Sequence, residues 1–142
     1  LRPRGLVGVV SFSDPMPRRS TAGVVVFPGH VGTIYQAFNG AYLGRATPRT
    51  LRVTADGHVI SARALQKVRR RERGWAYVVE QLVRAGAAPP ASEDLRAWLR
   101  EALTVATRTV RHPGNHRYAW ALARSARRFL EQRQAYPKRL AA

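Results

Sequence analysis

The chain has 142 residues, 45% of them hydrophobic, enough for one domain with a modest core. Its 25 basic residues, all but two of them Arg, face 8 acidic ones, giving a formal net charge of +17 and a pI near 11.8. There is no Cys, which excludes disulfides, thiolate metal sites and a Cys nucleophile.

A GC-rich genome explains Arg in place of Lys but not the shortage of acids. A polyanionic partner does, because the guanidinium fork suits phosphates and guanine edges, so DNA contact through the phosphate backbone is expected. No run of about 18 apolar residues and no leader-like hydrophobic region is found. The expectation is a soluble, cytoplasmic protein with no membrane partner, in a bacterial host or phage-infected cell. The chain opens at Leu1, almost directly on a strand, as an excerpt lacking its N-terminal part would.

Leu6 to Ser13 is a β-branched apolar run that predicts a buried strand, closed at Asp14-Pro15 because proline cannot continue a ladder. Pro15 to Ala22 reads as a polar loop, and Gly23 to Phe27 as a short strand or apolar loop. Val31 to Phe38 fits strand or short helix; Asn39-Gly40 favours the helix as its stop, with a strand over Ala41 to Arg45. Thr50 to Thr54 and His58 to Ser61 flank Ala55-Asp56-Gly57 and predict a hairpin.

Ser61 is placed to cap a basic helix reaching about Arg73, where Gly74 interrupts it. Trp75, Val78, Val79, Leu82 and Val83 recur at helical spacing, and Gly86 with Pro89-Pro90 ends that helix. Ser92 is the expected cap of a third helix with Leu95, Trp98, Leu99, Ala102, Leu103 and Ala106 on one face. Thr107 to Arg111 and Arg117 to Leu122 read as strands joined by a turn over His112 to His116. A final short helix over Ala123 to Gln132 would turn Phe129 and Leu130 inward, and residues 133–142 would form an extended basic tail. The fold class expected is α/β of the α+β kind, a small mixed sheet with flanking helices in a single domain.

Three constellations carry chemistry. Asp14, His30 and Tyr35 offer a carboxylate, an imidazole and a phenol, usable as metal ligands or as acid and base. The competing reading makes Asp14 a turn cap, His30 an exposed loop residue and Tyr35 a packed ring. Arg63, Lys67, Arg69, Arg70, Arg71 and Arg73 form a basic run with Glu72 its only acid; such a run is either a solvated helix face or a phosphate-binding one. Arg111, His112, His116, Arg117 and Tyr118 mix cations and aromatics as strand-gripping surfaces do, while the alternation that pairs Tyr118 with Trp120 fits a core face equally well. His112 and His116 have no nearby Cys or acid to make a zinc site. Walker and Rossmann phosphate motifs and the Gly-x-Ser-x-Gly elbow are missing.

At Asp14-Pro15, Gly29-His30-Val31-Gly32-Thr33-Ile34-Tyr35-Gln36-Ala37 and Asn39 the chain resembles the phage Mom DNA-modification family, proteins of GNAT acyltransferase fold that alter adenine in DNA. Gly114 to Tyr118 and Tyr136-Pro137-Lys138 resemble the C-terminal end of related phage proteins. The resemblance covers about a third of the chain. It implies a GNAT-like C-terminal half in which Asp14 and Tyr35 serve the active site, through iron, with acetyl-CoA as a further participant and His30 and Asn39 as neighbours. The Asp14 to Tyr35 interval is 21 residues here, longer than in the family, and no acyl-CoA phosphate turn precedes Asp14. A Mom-like DNA-modification protein is the first reading, a non-catalytic nucleic-acid-binding protein of a phage or mobile element the second, and a structural component of a nucleoprotein assembly the third.

Overall fold

Two kinds of apolar patterning produce two interiors. The computed structural model describes residues 5–139, which divide into two compact units: one from the segments up to Pro17, Gly29–Arg49 and from Pro113 onward, the other from Arg18–Pro28 and Thr50–His112. The architecture is mixed α and β, built from small sheets. Among the described residues no helix is long and apolar enough to cross a membrane.

In the first unit β1 (Gly8–Ser13), β8 (His116–Ala121) and β4 (Ala41–Arg45) form a three-stranded antiparallel sheet in the order β1-β8-β4. Ser13 pairs with His116 and Ser11 with Tyr118 on one side of β8, and Tyr42 pairs with Tyr118 on the other. The short helix α1 (Thr33–Ala37) precedes β4 and stops where Asn39 takes a left-handed φ of 54°, the helix stop read from Asn39-Gly40. The interior is aromatic and polar: Tyr42, Tyr118, Ala119, Ala126, Ser13 and His116 are buried.

The strand expected over Leu6 to Ser13 forms but is not a buried one. It is the sheet edge, paired among the described residues with β8 alone, and Val9, Val10 and Phe12 lie exposed, Phe12 at 52%. An apolar β-branched run reports strand propensity; how many neighbours cover the strand is a tertiary matter. The last helical segment, Arg124–Gln132, is a 3-10 helix whose buried residue is Ala126. Phe129 points outward beneath the Arg128 guanidinium, 5.2 Å from its ring centroid, rather than inward. Residues 133–139 are irregular but tied back to the sheet, with the Gln134 N–H donating to the Tyr42 carbonyl at 2.7 Å; residues 140–142 of the expected tail lie outside the described residues.

The second unit is aliphatic. Helices α2 (Ala62–Arg70), α3 (Trp75–Arg84) and α4 (Leu95–Ala106) pool Leu65, Val68, Val78, Val79, Leu82, Leu95, Leu99, Ala102, Leu103 and Ala106 into one core. On α4 these side chains fall at steps of four, three, one and three residues, one face of a 3.6-residue period. Burying each large one contributes about 1.5–3 kcal/mol. A sheet in the order β6-β5-β7, with β5 (Arg49–Thr54), β6 (Val59–Ile60) and β7 (Thr107–His112), adds Ile60 to this core; β2 (Arg18–Arg19) pairs separately with β3 (Val25–Phe27).

The Asp56-Gly57 hairpin joins β5 and β6 in antiparallel pairing, as expected. Ser61 caps α2 through Ala64 N–H at 3.1 Å. That helix ends at Arg70, however, because Arg71 adopts φ 52° as its C-cap, so Glu72 and Arg73 lie beyond it. The cap of α4 is Asp94, whose Oδ1 accepts from Ala97 N–H at 3.0 Å, and Ser92 instead accepts from Asp94 N–H. The largest departure concerns β7 and β8. They do not form a hairpin: β7 joins β5 and β8 joins β1 and β4.

Candidate functional site

Main-chain bonding brings Asp14 and His30 together in the first unit. The chain leaves β1 at Ser13, whose Oγ donates to the His30 carbonyl at 2.5 Å, and the His30 N–H donates to the Asp14 carbonyl at 2.6 Å. Asp14 Oδ1 accepts the Met16 N–H at 3.0 Å, closing a turn around Pro15. Gly29 makes the approach possible: its φ is +74°, and a Cβ there would stand 2.5 Å from the Pro15 carbonyl oxygen. Asp14 is half-buried and His30 exposed.

Tyr35 stands instead in an aromatic cluster. Its ring lies 5.4 Å from that of Tyr118 and 5.9 Å, edge-on, from that of Trp120, separations at which such pairs attract. Trp120 Nε1 donates to the Phe38 carbonyl at 2.8 Å, fixing the end of α1 against β8. Tyr118 donates its hydroxyl to the Val31 carbonyl and accepts from Gln36 Nε2 at 3.0 Å, and the same Gln36 nitrogen lies 3.3 Å from the Pro137 carbonyl. Gln36 thus joins α1, β8 and the C-terminal segment.

Beside this cluster, Tyr42 and His116 form a buried pair, Oη to Nδ1 at 2.8 Å. Burial pushes the His116 pKa down, with the Arg45 cation adding to the effect, and pushes the Tyr42 and Tyr118 phenols up. The half-buried Arg117 donates through Nη2 to the Leu43 carbonyl at 2.9 Å, while its buried Nε has no hydrogen-bond partner among the described residues. Sequence reasoning missed Gln36 and Tyr42 as organisers of this region; only the chance of meeting Tyr118 and His116 from distant strands gives them a role.

The expected nucleic-acid surface divides sharply. His112 and Tyr118 are 0% exposed and His116 2%, so these three side chains belong to the interior and offer no face to a strand; the core-face alternative holds for Tyr118. Arg111 is exposed and Arg117 is partly withdrawn. In the second unit Arg63 is held by Glu72 at 2.6 Å and by Gln66 at 3.1 Å, and Arg71 by the Glu93 carbonyl at 2.7 Å. Lys67 is half-buried. Arg69, Arg70 and Arg73 are exposed and have no acidic partner among the described residues.

For the metal implied by the resemblance, the donor set falls short. No group of three or more His, Cys, Asp or Glu side chains converges among the described residues. Asp14 and Tyr35 supply two donors, one carboxylate oxygen already accepting from Met16, where the 2-His-1-carboxylate site of non-haem iron uses three protein ligands.

No protein-family profile, no curated protein and no solved structure matches this chain.

Proposed function

We propose that this protein acts on DNA as a Mom-like adenine-modification protein: in the second unit Arg69, Arg70 and Arg73 are the candidates for phosphate contact, and in the first unit the segment carrying Asp14, His30, Tyr35 and Asn39 is the candidate for base contact. The observation that carries the DNA reading is the set of exposed guanidinium groups at and just beyond the end of α2, without acidic partners among the described residues, in a chain of net charge +17. The helix dipole explains why cations suit the last turn of α2. It does not explain Arg73 beyond the helix or the overall excess of base. In this reading Asp14 accepts a hydrogen bond from the exocyclic amine of adenine, and Tyr35 supplies an aromatic wall. The chemistry assigned to that segment rests on the motif resemblance.

The test is mass spectrometry of nucleosides from DNA of cells expressing the protein. A mass-shifted deoxyadenosine that disappears with Asp14→Asn supports the reading, and unmodified DNA from cells containing folded protein overturns it. A second reading, a nucleic-acid-binding protein without chemistry, is favoured by one observation: the Asp14 carboxylate is engaged in closing a turn. It keeps the DNA contact and predicts salt-sensitive binding with no altered nucleoside.

A further inference from the structure

The second unit contains a groove of about 500 Å³ between the exposed face of α3 and the β5–β6 hairpin. Tyr77, Gln81 and Arg84 line it from α3 at positions i, i+4 and i+7, one stripe of the helix. Asp56 and His58 line the opposite wall, and Ile60 and Ala85 contribute apolar surface. None of these residues is used by the Asp14 segment.

The side chains are set for binding rather than for packing. Tyr77 is 59% exposed, an aromatic face that the fold leaves in solvent. Arg84 turns its Nε toward the Glu80 carbonyl of its own helix at 3.5 Å, and no carboxylate among the described residues pairs with it. Across the groove the hairpin turn is closed by its own hydrogen bonds: Thr54 donates to Asp56 and accepts the His58 N–H at 3.1 Å. The same Thr54 bond holds the Asp56 carboxyl below its ordinary pKa; like any exposed Asp at neutral pH it is a carboxylate, which only accepts hydrogen bonds. His58 Nε2 stands 3.8 Å from Asp56.

We propose that this groove is a subsite for one unpaired nucleotide, its base stacked on Tyr77, its N–H donors accepted by Asp56 and Gln81, and its phosphate held by Arg84. Stacking on an exposed ring tolerates any base. A carboxylate selects among them, because guanine offers it an adjacent ring N–H and amino group, whereas thymine offers a single N–H. The size agrees with cavities that take molecules of this class. A simple anion site would not need Tyr77 or Asp56, and the Asp56 carboxylate would repel a bare phosphate. This subsite is independent of the chemistry proposed for Asp14 and Tyr35.

The experiment is isothermal titration calorimetry of the whole chain with dGMP, dTMP, deoxyguanosine and inorganic phosphate, on wild type, Tyr77→Ala, Arg84→Ala and the Arg69→Ala/Arg70→Ala/Arg73→Ala variant. Tyr77 and Arg84 are exposed, so each substitution should leave the fold intact, which circular dichroism of each variant checks. Expected are saturable dGMP binding that exceeds dTMP and phosphate, about tenfold weakening by Tyr77→Ala, the loss of one stacked base, and weakening by Arg84→Ala for dGMP but not for deoxyguanosine. The triple variant should bind dGMP as wild type does, which separates the groove from the α2 surface. Phosphate binding equal to dGMP, wild-type affinity in Tyr77→Ala, or loss of binding in the triple variant each overturns the assignment.

Discussion

The Tyr42 hydroxyl and His116 Nδ1 meet at 2.8 Å with both side chains buried. Burial disfavours the phenolate and the imidazolium alike, so both residues are neutral and share one hydrogen bond whose direction is set by the imidazole tautomer. Tyr42→Phe removes the hydroxyl, keeps the ring and leaves His116 Nδ1 buried without this partner. The cost expected is about 1–3 kcal/mol, that of an unsatisfied buried polar atom, measured by urea unfolding at pH 7.5. A variant as stable as wild type would mean that the pair contributes nothing.

The same pair sets a pH dependence with a definite sign. The folded pKa of His116 lies below that of an unfolded histidine, so between the two values the unfolded chain binds more protons. The stability contributed by neutral His116 is complete above about pH 6.5 and is lost as the pH falls below it. Tyr42 and Tyr118, with raised pKa values, act oppositely: their contribution is complete below about pH 10 and is lost above it. Unfolding midpoints across pH 5 to 11 should form a plateau with a fall on each side, and a midpoint that keeps rising below pH 6 contradicts the assignment.

Gly32 faces the Tyr118 ring so closely that a Cβ would overlap Cε2, and its φ is +81°. Gly23 has nearly the same φ, +83°, with nothing within 4 Å of its Cβ position. Comparing the two separates backbone strain from steric overlap. Gly23→Ala should cost about 1 kcal/mol, the left-handed penalty alone. Gly32→Ala adds displacement of Tyr118 from Gln36 and Val31 and should cost about 2–4 kcal/mol. Equal melting points for the two variants would show that Tyr118 is not fixed as described.

Local chemistry made some of the fold readable and left other parts beyond reach. Asp56-Gly57 dictates a hairpin through its own backbone preferences, and the apolar positions of α3 and α4 repeat at the helical period, so both were predictable. His112-Pro113-Gly114 reads as a hairpin turn, yet strand pairing depends on residues far away: β8 finds β1 and β4 instead. Gly114 is needed because the Ala46 carbonyl occupies the place where its Cβ would be. Asp14 was visible as a candidate, and so was its role as a turn cap. The aromatic cluster was not, since Tyr118 meets Gln36 across 82 positions of sequence and no periodicity encodes that meeting.

The basic residues of the α2 region separate into neutralised and unneutralised cations, and their substitutions should separate likewise. Arg63 already pairs with Glu72 at 2.6 Å, so Arg63→Ala should change DNA affinity little. Arg69, Arg70 and Arg73 are exposed and without acidic partners among the described residues. Each contact with a phosphate releases a counterion and adds about 0.9 to the slope of log affinity against log salt. Replacing all three by Ala should therefore weaken binding to random duplex and lower the slope by about 3, with unfolding unchanged because the side chains are exposed. Fluorescence anisotropy at several salt concentrations measures both quantities. A slope unchanged in the triple variant, or lowered as much by Arg63→Ala alone, would move the phosphate contacts to other arginines, with the exposed Arg111 and Arg108 the next to substitute.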